Sequence, residues 1–185
     1  MRLCGGEFKW FYGRQTMRTF RNCYTIVARI KRREFFYSER DHVIRGGYPD
    51  LPSLGFSNKG KYFERKVTPD EIESAYRVKW NYGIYKGFRV RVMDYREDQG
   101  DIYVMFDDDS EGKAAGITPR IDPNDKFGCF YEAYVPESEV TDVYELREAV
   151  DGFPFICPEI VYLKKDGLHL PWHEYGTPLQ DDEWI

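Results

Sequence analysis

An internal repeat constrains this chain more than any other feature. Trp10-Phe11-Tyr12-Gly13 returns seventy positions later as Trp80-Asn81-Tyr82-Gly83. Tyr62-Phe63-Glu64-x-x-Val67-x-x-x-Glu71-Ile72-x-x-x-Tyr76 returns sixty-eight positions later as Phe130-Tyr131-Glu132-x-x-Val135-x-x-x-Glu139-Val140-x-x-x-Tyr144. Two blocks in the same order at nearly the same shift imply a duplicated module of about seventy residues. Within 185 residues, two copies and a tail fit the ordinary range of domain sizes. Each copy alone encloses little interior, so the copies are expected to pack on one another. The expected division is 1–79 for the first repeat, 80–149 for the second, and 150–185 for a C-terminal extension packed on both.

The local patterns read mostly as strands. In the first copy Phe8–Tyr12 opens the module, and Tyr24, Ile26, Ala28 and Ile30 alternate with Thr25, Val27 and Arg29, the period-two mark of a half-buried strand. Phe35–Tyr37 follows a basic turn, 46–60 is a Gly/Pro/Ser/Asn-rich loop, and Tyr62–Val67 returns to strand. Thr68-Pro69-Asp70-Glu71 has the capping-box pattern of a helix start, with Ile72, Ala75 and Tyr76 as the apolar face of a short helix. In the second copy Phe88, Val90 and Val92 alternate with Arg89, Arg91 and Met93, Glu97–Gly100 is a turn, and Ile102–Phe106 is the hairpin partner. A polar loop is expected over 107–128, a strand over Phe130–Val135, and a second short helix from Pro136 to about Ala149. The tail supplies one strand, Ile160–Leu163, and a turn at Lys165-Asp166-Gly167. The resulting class is mostly β (α+β): two tandem SH3-like small β-barrel repeats, each with a short helix.

Composition sets outer limits. Rings make up 17% of the chain, and their large area lets small β modules close a core. No apolar run approaches the length of a membrane span and no secretory leader is read at Met1, so a cytoplasmic location is expected. Cys4, Cys23, Cys129 and Cys157 lack C-x-x-C spacing and read as free thiols, Cys129 as core packing. Charge is segregated. Residues 1–100 carry 21 Lys/Arg and 12 Asp/Glu, a net of +9, while 101–185 carry 6 and 20, a net of −14, summing to −5. Either the halves neutralise each other or one surface awaits a charged partner.

No chemistry-bearing motif stands out. His169 and His173 have helix-face spacing, but Pro171 between them breaks a helix, and the metalloprotease Glu is missing. Asp107-Asp108-Asp109-Ser110-Glu111-Gly112 resembles the start of a calcium loop, yet position twelve is Thr118 rather than Glu. There is no phosphate loop or nucleophile elbow, and no acidic pair is singled out. The sequence therefore predicts no catalytic residues, no cofactor and no metal. Arginines at 14, 18, 21, 29, 32 and 33 with Lys31 lie among Phe11, Tyr12, Phe20 and Tyr24, a mix suited to nucleic acid. The strongly acidic second half opposes a long polyanion, which makes that a lesser alternative.

Three stretches carry a family likeness: Trp80–Phe88, the Asp107–Glu111 run, and Tyr134-Val135-Pro136-Glu137-Ser138-Glu139-Val140. In character they resemble the immunity proteins of bacterial polymorphic and contact-dependent toxins. That resemblance implies a small, non-enzymatic, often acidic protein that neutralises a cognate toxin domain by covering its active site. The implied contacts are Asp107, Asp108, Asp109 and Glu111, with Tyr103 or Tyr131 as an aromatic anchor. Gly100–Asp108 is also similar to the second strand and acidic edge of tandem Tudor- and agenet-like domains. That likeness implies methyl-lysine capture in an aromatic cage, for which Tyr82, Tyr85, Tyr103 and Phe106 are the candidate rings; the alternative is that these rings fill a barrel.

Overall fold

A computed structural model describes residues 21, 23–96, 98–121, 129–170 and 173–179. In chain order the strands are β1 (Ile26–Ile30), β2 (Arg33–Ser38), β3 (Val43–Gly46), β4 (Ser57–Asn58), β5 (Phe63–Lys66), β6 (Ser74–Tyr85), β7 (Phe88–Arg96) and β8 (Asp101–Phe106). The helix α1 (Asp109–Ala114) precedes β9 (Arg120–Ile121), β10 (Cys129–Phe130), β11 (Glu132–Pro136), β12 (Val140–Ala149), β13 (Ile160–Lys165) and β14 (Leu168–His169). Twelve of these strands join one open antiparallel sheet, and β9 and β10 form a separate pair. The protein is mostly β. The block Trp10–Gly13 and the strand expected at Phe8–Tyr12 lie outside the described residues, as does Cys4.

One order of pairing occurs twice. The first five-strand path is β6-β1-β2-β3-β5, and the second is β12-β6-β7-β8-β11. Each path places a one-turn 3-10 helix just before its closing strand, Pro69–Glu71 before β6 and Glu137–Glu139 before β12. The leading hairpins match as well. Lys31 and Arg32 (φ 48° and 61°) turn β1 into β2, and Lys86 and Gly87 (φ 50° and 83°) turn β6 into β7. Two central residues with positive φ suit the right-handed twist of the strands they join. The extra length of the second path lies between β8 and β11, where α1, β9 and β10 are inserted.

Repeated residues take equivalent places. Phe63, Val67 and Ile72 enter one hydrophobic core with Ile26, Ala28, Ile30, Phe35, Ile44 and Leu51. Val135 and Val140 enter a second core with Tyr85, Val90, Val92, Ile102, Val104 and Phe106, and Tyr131 packs against it.

The two paths share β6, which runs unbroken through the expected 79/80 boundary. Its Ala75 belongs to the first core and its Tyr85 to the second. Strict alternation would put these two residues, ten apart, on one face. The pairing with β12 slips between Leu146 and Arg147, opposite Trp80 and Val78, so Lys79 is an extra residue in β6. One extra residue inverts the faces of everything beyond it. The bulge thus lets a single strand serve two cores on opposite sides of the sheet.

Several expectations are corrected. The helices expected after Thr68 and Pro136 end after one 3-10 turn, although Thr68 N does donate to Glu71 Oε2 at 2.9 Å. Beyond each turn the residues pair as central strands, where Tyr76, Val78 and Val143 are buried. Tertiary pairing overrides the capping signal. The 107–128 region is not only loop, since Asp109–Ala114 is helical. Every residue of β1 is buried rather than alternating, because both of its faces are covered. The tail bridges both cores: Val150 and Phe153 join the first, Leu163 the second, and Cys157, Phe155 and Tyr175 cover Val27, Tyr76 and Val78. Cys157 is a buried free thiol.

Candidate interaction surface

The second path buries one face in its own core and turns the other outward. On β8, Ile102, Val104 and Phe106 point in, leaving Asp101, Tyr103 and Met105 outside. On β7, Val90 and Val92 point in, while Arg89 and Arg91 lie out. A register shift between Val92 and Asp94 then puts Asp94 and Arg96 outside and lets Tyr95 return to the core. Trp80 and Tyr82 come out from β6, Tyr144 and Leu146 from β12, and Tyr162 from β13, all half-exposed.

These outward groups stack on one another. Tyr162, Tyr144 and Tyr82 are direct cross-strand neighbours, with ring centroids 5.4 and 5.8 Å apart. The Arg89 guanidinium lies 4.9 Å from the Tyr82 ring, Arg91 lies 4.3 Å from Trp80, and Arg96 lies 3.5 Å from Tyr134. Tyr103 and Tyr134 face each other at 4.7 Å. Tyr134 is 39% exposed, and its hydroxyl donates to Asp94 Oδ2 at 2.8 Å. Burial and a hydrogen bond with Glu132 push the Tyr103 phenol up to about 12. The face is a mosaic of rings and guanidinia, the composition of energetically important protein contacts.

The acidic run borders this face. Asp107 pairs with Arg91, tying the start of α1 to the stack over Trp80. Asp108 caps α1 by accepting from Ser110 N at 2.7 Å, and its hydrogen bonds with Ser110 hold the carboxyl below its usual value. Asp109 and Glu111 sit in the first turn of α1. Of the two rings expected as anchors, Tyr103 lies on the outer face. Tyr131 is committed to packing: it rests on the second core and against Gly112 of α1, where an added Cβ would collide with it. The four rings considered for a methyl-lysine cage do not gather in one place. Tyr85 and Phe106 are buried in the second core while Tyr82 and Tyr103 lie on the opposite face.

The corresponding outer face of the first path is closed. Tyr76 and Val78 lie beneath Cys157, Phe155 and Tyr175. Beside them three arginines and two glutamates are enclosed. Arg21 reaches Glu34 at 2.6 Å, Glu145 at 3.3 Å and the Tyr76 hydroxyl at 2.5 Å. Arg29 pairs with Glu34 at 3.0 Å and Arg147 with Glu145 at 2.9 Å. Burial alone would raise the Glu34 carboxyl, but Arg21, Arg147 and Arg29 prevail and hold it at about 2.

Sequence reasoning missed Trp80, Arg89, Arg91, Arg96, Tyr134, Tyr144 and Tyr162 as one surface. The alternation of Arg89 and Arg91 with Val90 and Val92 was visible; which strands lay beside them was not. No helix among the described residues is long and apolar enough to cross a membrane. No curated protein and no solved structure matches the chain. Residues 46–150, which include every strand of the second path, do match a family described as uncharacterised conserved protein UCP033725. That stretch exceeds half of the 185 residues, and the chain belongs to this family.

Proposed function

We propose that the chain is a cytoplasmic binding protein that inhibits a protein partner, as the immunity proteins of bacterial toxins do. In this reading the two five-strand paths are SH3-like units fused through β6. The repeated pairing order, the 3-10 turn before each closing strand and the two separate cores support that assignment. The observation that carries the functional reading is the contrast between the two outer faces. The first is sealed by the tail and an ion-pair cluster, while the second keeps rings and arginines half-exposed. Aromatic anchors within a charged rim are what a tight, fast-associating interface uses. Tyr103, Tyr134 and Trp80 are the anchors, with Asp109 and Glu111 on the rim.

The test uses a toxin domain encoded beside this chain, with the two proteins mixed and both binding and toxin activity measured. Trp80→Ala with Tyr134→Ala weakens binding by about 2 kcal/mol or more while the variant stays folded. Charge reversal at Asp109 and Glu111 changes the association rate and its salt dependence. A toxin domain that is neither bound nor silenced removes the reading.

A further inference from the structure

The β13-β12-β6 end of the exposed face has a chemical character that the α1 end lacks. Tyr162, Tyr144 and Tyr82 stand directly opposite one another on three adjacent strands. Lys165 lies 5.0 Å from the ring of Tyr162 at one end of this ladder, and Arg89 lies 4.9 Å from Tyr82 at the other. Both cations are exposed. Among the described residues neither forms an ion pair, and the three phenol hydroxyls have no hydrogen-bond partner. By contrast Arg91, Arg96 and Arg120 at the other end are neutralised by Asp107, Asp101 and Glu132.

The ladder therefore presents hydrogen-bond donors and two unneutralised charges over an apolar floor of rings. Phenols donate to carboxylates, an ammonium or guanidinium pairs with them, and the rings take the methylene stems beside them. A group rich in acceptors and carrying negative charge is what this surface complements. Its two sources are the side-chain carboxylates of a protein and the phosphates of a nucleic acid. A phosphate chain carries its charges in unbroken series, and this protein has a net charge of −5. Asp142, which accepts from Asp166 N, also sits at the β12–β13 end of the ladder, where a continuous polyanion would be repelled. Discrete carboxylates can be placed to avoid it.

We propose that the Tyr162–Tyr144–Tyr82 ladder, flanked by Lys165 and Arg89, is the docking surface for an acidic segment of the protein partner. This rests on the reading that the chain acts by binding a protein, and it gives that partner a chemistry. The interface is bipolar: a donor-rich end on β13, β12 and β6, and an acid-rimmed end at α1.

The probe is a peptide of about ten residues in which glutamates are spaced by glycine and serine, titrated into the full chain at low salt and followed by intrinsic fluorescence. An oligothymidylate of equal charge is titrated in parallel. The peptide is expected to bind saturably. Arg89→Gln with Lys165→Gln weakens it about tenfold, and Tyr144→Phe weakens it while leaving the melting temperature unchanged. Absent saturation, or peptide binding unaltered in the double variant, overturns the proposal. Tighter binding of oligothymidylate would assign the surface to nucleic acid and overturn it too, as would a self-association that the double variant abolishes. The toxin-domain assay separates the two readings. A toxin silenced equally by wild type and double variant leaves the inhibitor standing and removes this docking surface. A peptide bound as expected by a chain that ignores the toxin does the reverse.

Discussion

Tyr76 and Tyr144 are the same residue of the repeat with opposite fates. Each lies on the closing strand of its five-strand path and points away from that path's own core. Tyr76 is 1% exposed, enclosed by Arg21, Arg147 and the tail. Tyr144 is half-exposed, and its hydroxyl has no hydrogen-bond partner among the described residues. The repeated pairing order leaves two outward faces; the tail and Arg21 close one. The closed face is built into the interior, and the open one stays half-exposed.

The sharpest way to break this contrast is at Glu145. Its carboxylate is fully buried between Arg21 and Arg147. Glu145→Ala leaves the buried Arg147 without its paired carboxylate and Arg21 with Glu34 alone, which costs about 3–5 kcal/mol. Urea denaturation measures it, and a loss below about 1 kcal/mol would show that the cluster does not hold the closed face.

Acid should weaken the closed face through its buried carboxylate. Glu34 is held at about 2, against an unperturbed 4.5. Its folded-state value is depressed, so its contribution is complete above 4.5 and drains away as pH falls through the interval down to about 2. Stability against urea should fall over that window. Glu34→Gln should flatten that part of the profile, and an unchanged slope would assign acid sensitivity to other carboxylates.

A smaller loss is expected where the shared strand crosses the second core. A Cβ on Gly83 would stand 2.9 Å from Val140 Cγ1 and 3.1 Å from both Val92 Cγ2 and Asp142 O. Gly83→Ala must push β12 away from β6, costing about 1–3 kcal/mol. If the variant is as stable as the parent, the second core is looser than its contacts indicate.

Much of the fold was legible in the sequence. The block beginning at Tyr62 correctly paired Val67 with Val135 and Ile72 with Val140, and those pairs fill the two cores. Alternation located β7 and β8. The misreadings share one cause. Thr68–Glu71 carries a true capping signal, but capping is local, whereas the strand after it is fixed by β1 and β12, distant in sequence. The open face was less legible. Tyr162, Tyr144 and Tyr82 come from three separate stretches, and only pairing register brings them into a row. The acidic run was conspicuous in sequence, yet Asp107 and Asp108 turn out to have local tasks, pairing with Arg91 and capping α1.

The finest discrimination between the faces removes one oxygen atom from each repeat. In Tyr76→Phe the lost hydroxyl is buried against the Arg21 guanidinium at 2.5 Å. Arg21 already reaches two carboxylates, so part of its hydrogen bonding survives, but a buried donor loses one acceptor. The expected cost is about 1–3 kcal/mol. In Tyr144→Phe the hydroxyl has no described protein partner, and the ring keeps its stacking on Tyr82 and Tyr162. Burial raises the Tyr144 phenol above its ordinary value while Arg89 nearby opposes that rise, so the group stays neutral near pH 7 and no charge is lost with it. Its stability should change by less than about 0.5 kcal/mol. Paired thermal melts of the two variants read the difference directly. Equal losses would mean that the outer faces are equally enclosed, and the assignment of one to stability and the other to binding would fall.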